Sequence, residues 1–512
     1  MQGYRWSPPL FSTHTYLDVM TTNLLRSAAL LLFGACPLLM AAQGCQTLQN
    51  EKETYIEKHV TFEPNATLEQ KLDVASRLVP THNQKEWQEL ELTAFIHFGI
   101  NTYTGREWGD GTEDPKIFNP QELDTDQWVS ALKEGGFKMV ILTAKHHDGF
   151  CLWPTQTTDY SVKSSPWRNG EGDVMAELRK SCDKYGLKLG VYLSPWDRNA
   201  KVYGEGQAYN DMYIQQLREL LSNYGKIDEV WFDGANGEGP NGKKQEYDFD
   251  RILATVHELQ PEAVTAIMGD DVRWVGNETG LGRSTEWSAT AFAPHAYSQY
   301  KDVNKNLGIK EKTPDLGSRE LLAKAEQLFW YPSEVDVSIR PGWFYHEAED
   351  AKVKTLQQLT HIYFNSVGMN SVLLLNIPPM PNGKLSEIDV QRLREFGQYI
   401  DKLYDHDFVT DEGDLKLNND GTATLEATTE AQPWDVICLQ EDIEKGQRIE
   451  SFTVEAESNG EWKEIAKGTT IGYKRLLPLD TPVTTNKIRV TITSYRGKRP
   501  HLDEVKALRR PQ

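Results

Sequence analysis

From Thr93 onward the chain alternates short apolar runs with amphipathic helical stretches, and this alternation restricts its fold more than any other feature. A parallel strand covered on both faces reads as a continuous apolar run, and the helix that carries the chain back reads at a 3.6-residue period. Ala94-Phe95-Ile96-His97-Phe98 leads to a helix capped near Asp124 or Asp126, burying Trp128, Val129 and Leu132 and ended by Gly135-Gly136, before a strand at 139–142. Asp173 caps a second helix, with Met175, Leu178, Cys182 and Tyr185 inward, which stops at Gly186 and feeds a strand at 189–193. A third helix carries Ile214, Leu217 and Leu221 and precedes Glu229-Val230-Trp231-Phe232-Asp233. A fourth carries Ile252, Leu253, Val256 and Leu259 and leads to 263–268. Spacing then becomes irregular, with one further apolar strand at 371–377. No Gly-rich dinucleotide fingerprint follows the first strand, so the pattern predicts a (β/α)8-like, TIM-type barrel rather than an open doubly wound sheet.

After about Tyr404 short alternating runs separated by Gly, Asn and Pro predict an antiparallel β-sandwich, loosely similar to discoidin-type jelly rolls. With 512 residues the chain exceeds one ordinary core. The expected division is a leader over 1–44, a catalytic barrel over 68–404 and a sandwich over 405–512. In the leader, Arg26 precedes an apolar stretch over 27–40 that is too short to span a bilayer and reads as a signal region, with Met20 an alternative start to Met1. Cys45 behind Ala41-Ala42-Gln43-Gly44 is a candidate lipidation site, so the protein is expected to be secreted, periplasmic or lipid-anchored at the cell envelope. Cys151, Cys182 and Cys438 form neither a disulfide framework nor a zinc set and are expected to be buried hydrophobes.

The formal net charge of −20, scattered along the chain, argues against nucleic acid as a partner. In a barrel the chemistry lies where polar residues finish apolar strands. Those positions are His97, Lys145-His146-His147-Asp148, Tyr192 with Trp196 and Asp197, Trp231 with Asp233, and the segment 270–278. Asp233 at a strand end could merely cap a turn, but Trp231, two residues earlier on the same face, offers a wall for a sugar ring. His146 and His147, if on a strand, point to opposite faces, which disfavours a metal pair and favours contacts to sugar hydroxyls, with one of the two as a packed core histidine left open.

Phe95-Ile96-His97-Phe98-Gly99, Arg106-Glu107-Trp108, Thr143-Ala144-Lys145-His146-His147-Asp148-Gly149-Phe150, Trp153-Pro154 and Val230-Trp231-Phe232-Asp233-Gly234 together resemble the α-L-fucosidases of glycoside hydrolase family 29. The resemblance implies a retaining exo-α-L-fucosidase with Asp233 as nucleophile and with His97, Glu107, Trp108, His146, His147, Tyr192 and Trp231 holding fucose. The segment Asp270 to Glu278 and Ile339-Arg340-Pro341-Gly342-Trp343-Phe344 resemble the branch that cuts α-1,3 and α-1,4 linkages in Lewis-type glycans. That likeness implies Glu278 as acid/base, with Glu286 as competitor, and Arg273 and Trp343 as further substrate contacts.

Such an enzyme needs no metal or organic cofactor, and its partner is a fucosylated oligosaccharide or glycoprotein glycan. A fucosidase of broader linkage preference, a non-catalytic fucosyl-glycan-binding protein, a metal-dependent barrel hydrolase and a retaining glycosidase for another sugar are the competing readings.

Overall fold

The computed structural model describes residues 53–511; the leader read over 1–44 and Cys45 lie outside them. Eight parallel strands form the barrel: Leu92–Ile96 (β1), Met139–Lys145 (β2), Lys188–Leu193 (β3), Glu229–Phe232 (β4), Val264–Ile267 (β5), Arg273–Trp274 (β6), Ser333–Ser338 (β7) and Ser371–Asn376 (β8). They run in the order β5-β4-β3-β2-β1-β8-β7-β6. The ring is nearly closed: at the seam the Val272 amide donates to the Thr265 carbonyl at 3.1 Å, and the Thr265 amide to the Asp271 carboxylate at 2.9 Å.

The helices form for the reasons the sequence implied. Thr125–Glu134 (α1), Val174–Tyr185 (α2) and Phe249–Leu259 (α4) each start with an aspartate, Asp124, Asp173 and Asp248, accepting from an amide three residues on. Gln207–Asn223 (α3) joins β3 to β4, Leu356–Asn365 (α5) joins β7 to β8, and Glu387–Leu403 (α6) follows β8. Between β6 and β7 there is no long crossover helix. That stretch instead builds a small antiparallel sheet, in which Gln327–Trp330 pairs with Ala289–Thr290 and with His59–Thr61 from the N-terminal side. Beyond α6 a six-stranded and a three-stranded antiparallel sheet close over Trp434, Phe452, Val454 and Val490. Cys151, Cys182 and Cys438 are free and buried, as expected.

The barrel interior is not wholly apolar. Among Phe95, Ile141, Tyr192 and Leu374 lie three carboxyl side chains, each accepting from an indole N–H: Glu229 from Trp87 at 2.7 Å, Glu334 from Trp231 at 2.7 Å and Asp336 from Trp274 at 2.8 Å. Burial pushes Glu229 and Glu334 well above the ordinary carboxylate range, and for Glu334 the charge of Glu229 adds to the shift. Two ionised neighbours here would be very costly, so the pair keeps protons at neutral pH.

A stability measurement can test this. A buried acid whose folded pKa lies above its unfolded value of 4.5 contributes stability that is present below that value and lost as pH rises. Glu334→Gln keeps an acceptor for Trp231 and removes that loss. Its stability relative to wild type should climb above pH about 4.5, by up to ~1.4 kcal/mol per pH unit. Calorimetric unfolding across pH 5–8 would show a difference independent of pH if the pair were not protonated.

Candidate active site

The site is organised around Asp233, the first residue beyond β4. The Ala235 amide donates to its Oδ1 at 2.7 Å and the Tyr192 hydroxyl to its Oδ2 at 3.0 Å, so strand end and neighbouring strand both fix the carboxylate. Tyr192, from β3, stacks at 5.3 Å on Trp231, its register partner on β4, whose N–H is committed to Glu334. Trp231 thus ties the Tyr192 ring to the barrel interior.

Three histidines form one wall. His97, just past β1, places Nδ1 2.8 Å from Asn376 Oδ1, while Asn376 Nδ2 donates to the Trp343 carbonyl and to Ser338. Asn376 Oδ1 can only accept, so His97 carries its proton on Nδ1 and turns a bare Nε2 to the cavity. His147 is set in the same way. Ser194 donates to the Trp196 carbonyl and therefore accepts from His147 Nδ1 at 2.7 Å, leaving Nε2 3.8 Å from Asp233 Oδ2. Burial lowers the pKa of all three, His97 to about 3, His146 well below its usual value, and His147 despite the opposing pull of Asp233. The wall is neutral, and at His97 and His147 the Nε2 lone pair is left free to accept a hydrogen bond from a hydroxyl group.

Strict strand alternation had sent His146 and His147 to opposite faces. The strand ends at Lys145, after a register irregularity against β3, and the chain turns. Both imidazoles therefore reach the mouth with centroids 4.2 Å apart, His146 stacked on Tyr192 and His147 tilted against Trp196. Lys145 and Asp148 of the same motif are buried supports: Lys145 pairs with Asp197 at 3.1 Å, and Asp148 caps the Phe150 amide at 2.7 Å.

The opposite rim is a clasp between two loops. Glu107 accepts from the Trp343 amide at 2.7 Å and from His346 at 2.9 Å. A Cβ on Gly342 would lie 2.5 Å from Glu107 Oε1, which explains the glycine in Arg340-Pro341-Gly342-Trp343. Arg340 anchors the loop, buried against Asp389 and Asp350 at 2.8 Å each. Trp343 lies 5.0 Å from the His97 ring, and Trp108 stands 56% exposed at the entrance, edge-on to His147 and Trp196.

Glu278 projects from the loop after β6. Partial burial raises its pKa first, the negative charge of Asp233 raises it further, and a hydrogen bond from Trp343 pulls the other way. Glu278 thus lies beside Trp343 and within electrostatic reach of Asp233. Glu286 is instead 1% exposed, its oxygens taken by Arg273 and, at 2.9 Å, by Arg283, so no glycosidic oxygen can reach it.

Arg273 requires a correction. It is buried on the outer face of β6, with its guanidinium held by Glu286 and by the Tyr331 and Trp287 carbonyls, and it does not line the cavity. The next residue, Trp274, faces Asp336 inside, because neighbours on a strand point to opposite faces. Asp336, Asn376 and Ser194 were not singled out in the sequence, and Trp274 only as a member of the segment 270–278. Among the described residues, ligand atoms converge as a metal would require at His257, Asp270 and Asp271, where the Lys58 ammonium already sits 2.8 and 2.7 Å from the two aspartates.

A sequence profile for the family Alpha-L-fucosidase matches residues 80–404. Alpha-L-fucosidase 1 of Arabidopsis thaliana is 41% identical over 449 residues, 82% of this chain and 85% of its own. A crystal structure from Bacteroides ovatus, of a protein provisionally described as an α-L-fucosidase, shares 58% identity over 90% of this chain and 79% of its own, with a TM-score of 0.86. A family 29 fucosidase of Ruminococcus gnavus, solved in complex with fucose, is 30% identical over 88% of this chain and 97% of its own, with a TM-score of 0.73.

The clasp gives a direct test. Gly342→Ala should displace Glu107 and forfeit its hydrogen bond to the sugar, worth about 1.5–3 kcal/mol for a charged acceptor, raising KM for an aryl fucoside roughly ten- to hundredfold. An unchanged KM would remove Glu107 from sugar binding.

Proposed function

The chain belongs to the α-L-fucosidase family, glycoside hydrolase family 29, and from that premise we propose that it is a retaining exo-enzyme releasing α-1,3- and α-1,4-linked fucose from branched glycans, with Asp233 as nucleophile and Glu278 as acid/base. The observation that carries this reading is that Asp233, fixed at the end of β4, lies within electrostatic reach of Glu278, an exposed residue of the loop after β6 whose pKa is raised first by desolvation and then by the Asp233 charge.

Fucose is uncharged, and the cavity suits it: bare Nε2 atoms on His97 and His147 accept from hydroxyl groups, Glu107 accepts at the opposite rim, and Trp343 offers an apolar face to the C6 methyl. Asp233 attacks the anomeric carbon while protonated Glu278 transfers its proton to the departing oxygen, which requires the two carboxyl groups to lie about 5–5.5 Å apart across the sugar. Bond formation removes the charge of Asp233. One cause of the raised Glu278 pKa then vanishes, so the residue that has just lost its proton is better able to take one from water in the second half-reaction. No step draws on a metal or organic cofactor. The linkage choice rests on the likeness of the Glu278 and Trp343 segments to the α-1,3/1,4 branch. Export to the cell envelope, with anchoring at Cys45, fits a glycan substrate outside the cell.

A panel of Lewis-type trisaccharides, α-1,2-fucosyl lactose and an aryl fucoside should give faster release from the trisaccharides than from the α-1,2 linkage, with fucose first released as the α-anomer. Equal or faster α-1,2 cleavage would overturn the branch, and a β-anomer would overturn retention.

The acid/base assignment has its own test. An aryl oxyanion leaves without help, whereas a sugar alkoxide needs a proton. Glu278→Ala should therefore lose about three decades of kcat/KM on a trisaccharide and far less on an aryl fucoside. Azide should rescue it, giving a fucosyl azide of retained configuration. Azide rescue of Glu286→Ala, and not of Glu278→Ala, would move the role there.

A further inference from the structure

The Glu278 loop is short and tightly built. Asn277 accepts from the Thr279 amide at 3.0 Å and donates to the Leu281 carbonyl at 3.0 Å, and the Gly282 amide donates to Asn365 at the end of α5. Gly280, at φ +80°, fits so closely that a Cβ would meet Val337 and Ile362 at 3.0–3.1 Å. Where the loop returns, Arg283 donates to the Val275 carbonyl at 2.9 Å and pairs with Glu286, which also pairs with Arg273 of β6. This Arg283-Glu286-Arg273 staple closes the base of the loop.

The C-terminal sandwich holds that staple from outside. Thr470 Oγ1 accepts from the Glu286 amide at 2.9 Å, and Gln447 donates to the Glu286 carbonyl at 2.9 Å while accepting from the Ser288 amide at 2.7 Å. Thr469 and Arg475 donate to the Ser284 carbonyl at 2.9 and 2.8 Å. Gln447 and Thr470 are buried, so these bonds are shielded from water, and breaking them leaves unpaired polar groups. The connections from sandwich to loop are continuous: Thr470 and Gln447 to the Glu286 backbone, its carboxylate to Arg283, and Arg283 to the backbone three residues before Glu278.

We propose that the sandwich is a working part of the active site, with Thr470 and Gln447 as positioning residues that hold the Glu286 staple and thereby aim Glu278 at the glycosidic oxygen. The proposal rests on the assignment of Glu278 as acid/base. Loosening the staple should impair proton donation and leave the strand-borne Asp233 in place. The loss should follow the leaving group, which a general weakening of the fold would not do.

The test compares Thr470→Val, Gln447→Leu and the double variant with Thr470→Ser and Glu278→Ala, in the full chain. It measures kcat/KM on an aryl fucoside and on a fucosylated trisaccharide, together with Tm. For the double variant we expect a trisaccharide loss of about ten- to a hundredfold, as a misplacement near 1 Å costs, with the aryl fucoside within about twofold of wild type. Thr470→Ser should restore the trisaccharide rate. If Glu278→Ala splits the two substrates while the Thr470 and Gln447 variants lose both equally or neither, the sandwich has no positioning role and Glu278 keeps its own. If Glu278→Ala does not split them, the Glu278 assignment fails and this proposal falls with it. Should the double variant not fold, Thr470→Val supplies the same comparison.

Discussion

The structure depends on how acids are kept inside a nearly closed ring of parallel strands. Side chains pointing into a barrel have no access to bulk water, yet this ring encloses Glu229, Glu334 and Asp336 below the mouth where Asp233 sits. Each accepts from a tryptophan, and each has its pKa raised by burial first; for Asp336 the result is about 7, with Glu278 and Asp233 adding to it against the pull of Trp274. Indole N–H groups satisfy these oxygens without bringing positive charge. A lysine or arginine in their place would hold the acids ionised and set compensating cations under the nucleophile. The tryptophans instead keep the floor close to neutral, so the field at the mouth is governed by Asp233 and Glu278.

That near neutrality extends up the walls. Asn376 and Ser194 fix which nitrogen of His97 and His147 carries the proton, and burial keeps both rings uncharged. An imidazolium beside Asp233 would bind an anion well and would stabilise the carboxylate against attack. A neutral ring accepting from a hydroxyl orients the sugar without opposing the positive charge that develops at the anomeric carbon.

The same constraint explains what the sequence disclosed and what it hid. Strands β1 to β5 and β8 are continuous apolar runs, and the asparate-capped helices between the early ones were legible with them, as were Asp233 and the histidines through their place at strand ends. Strand β7, Ser333-Glu334-Val335-Asp336-Val337-Ser338, alternates polar and apolar residues and so reads as half exposed, although it is buried throughout, because its inward positions carry the paired carboxyls. Strand β6 has two residues, too few to show a period, and without it the parity of Arg273 and Trp274 was undetermined. The resemblance pointed to Arg273, and the ladder turned Trp274 inward. Asn376 and Ser194 act through a histidine each, and a lone asparagine or serine at a strand end carries no pattern that reveals such a role.

The two carboxyl groups differ in what holds them, and the difference follows from their tasks. A nucleophile must meet the same carbon in every substrate, so it gains from a strand end, where a backbone amide and a neighbouring tyrosine fix both oxygens. An acid must meet an oxygen whose position depends on the sugar being expelled, and a loop can vary in length and path without disturbing the barrel. The cost is rigidity. A loop beyond a two-residue strand has little ladder to define it, and here a buried ion-pair staple with loops of the C-terminal sandwich hydrogen-bonded on its outer side supplies the missing restraint. The long β6 to β7 connection, which displaces the usual crossover helix, leaves room on that side of the barrel for the sandwich to reach the staple.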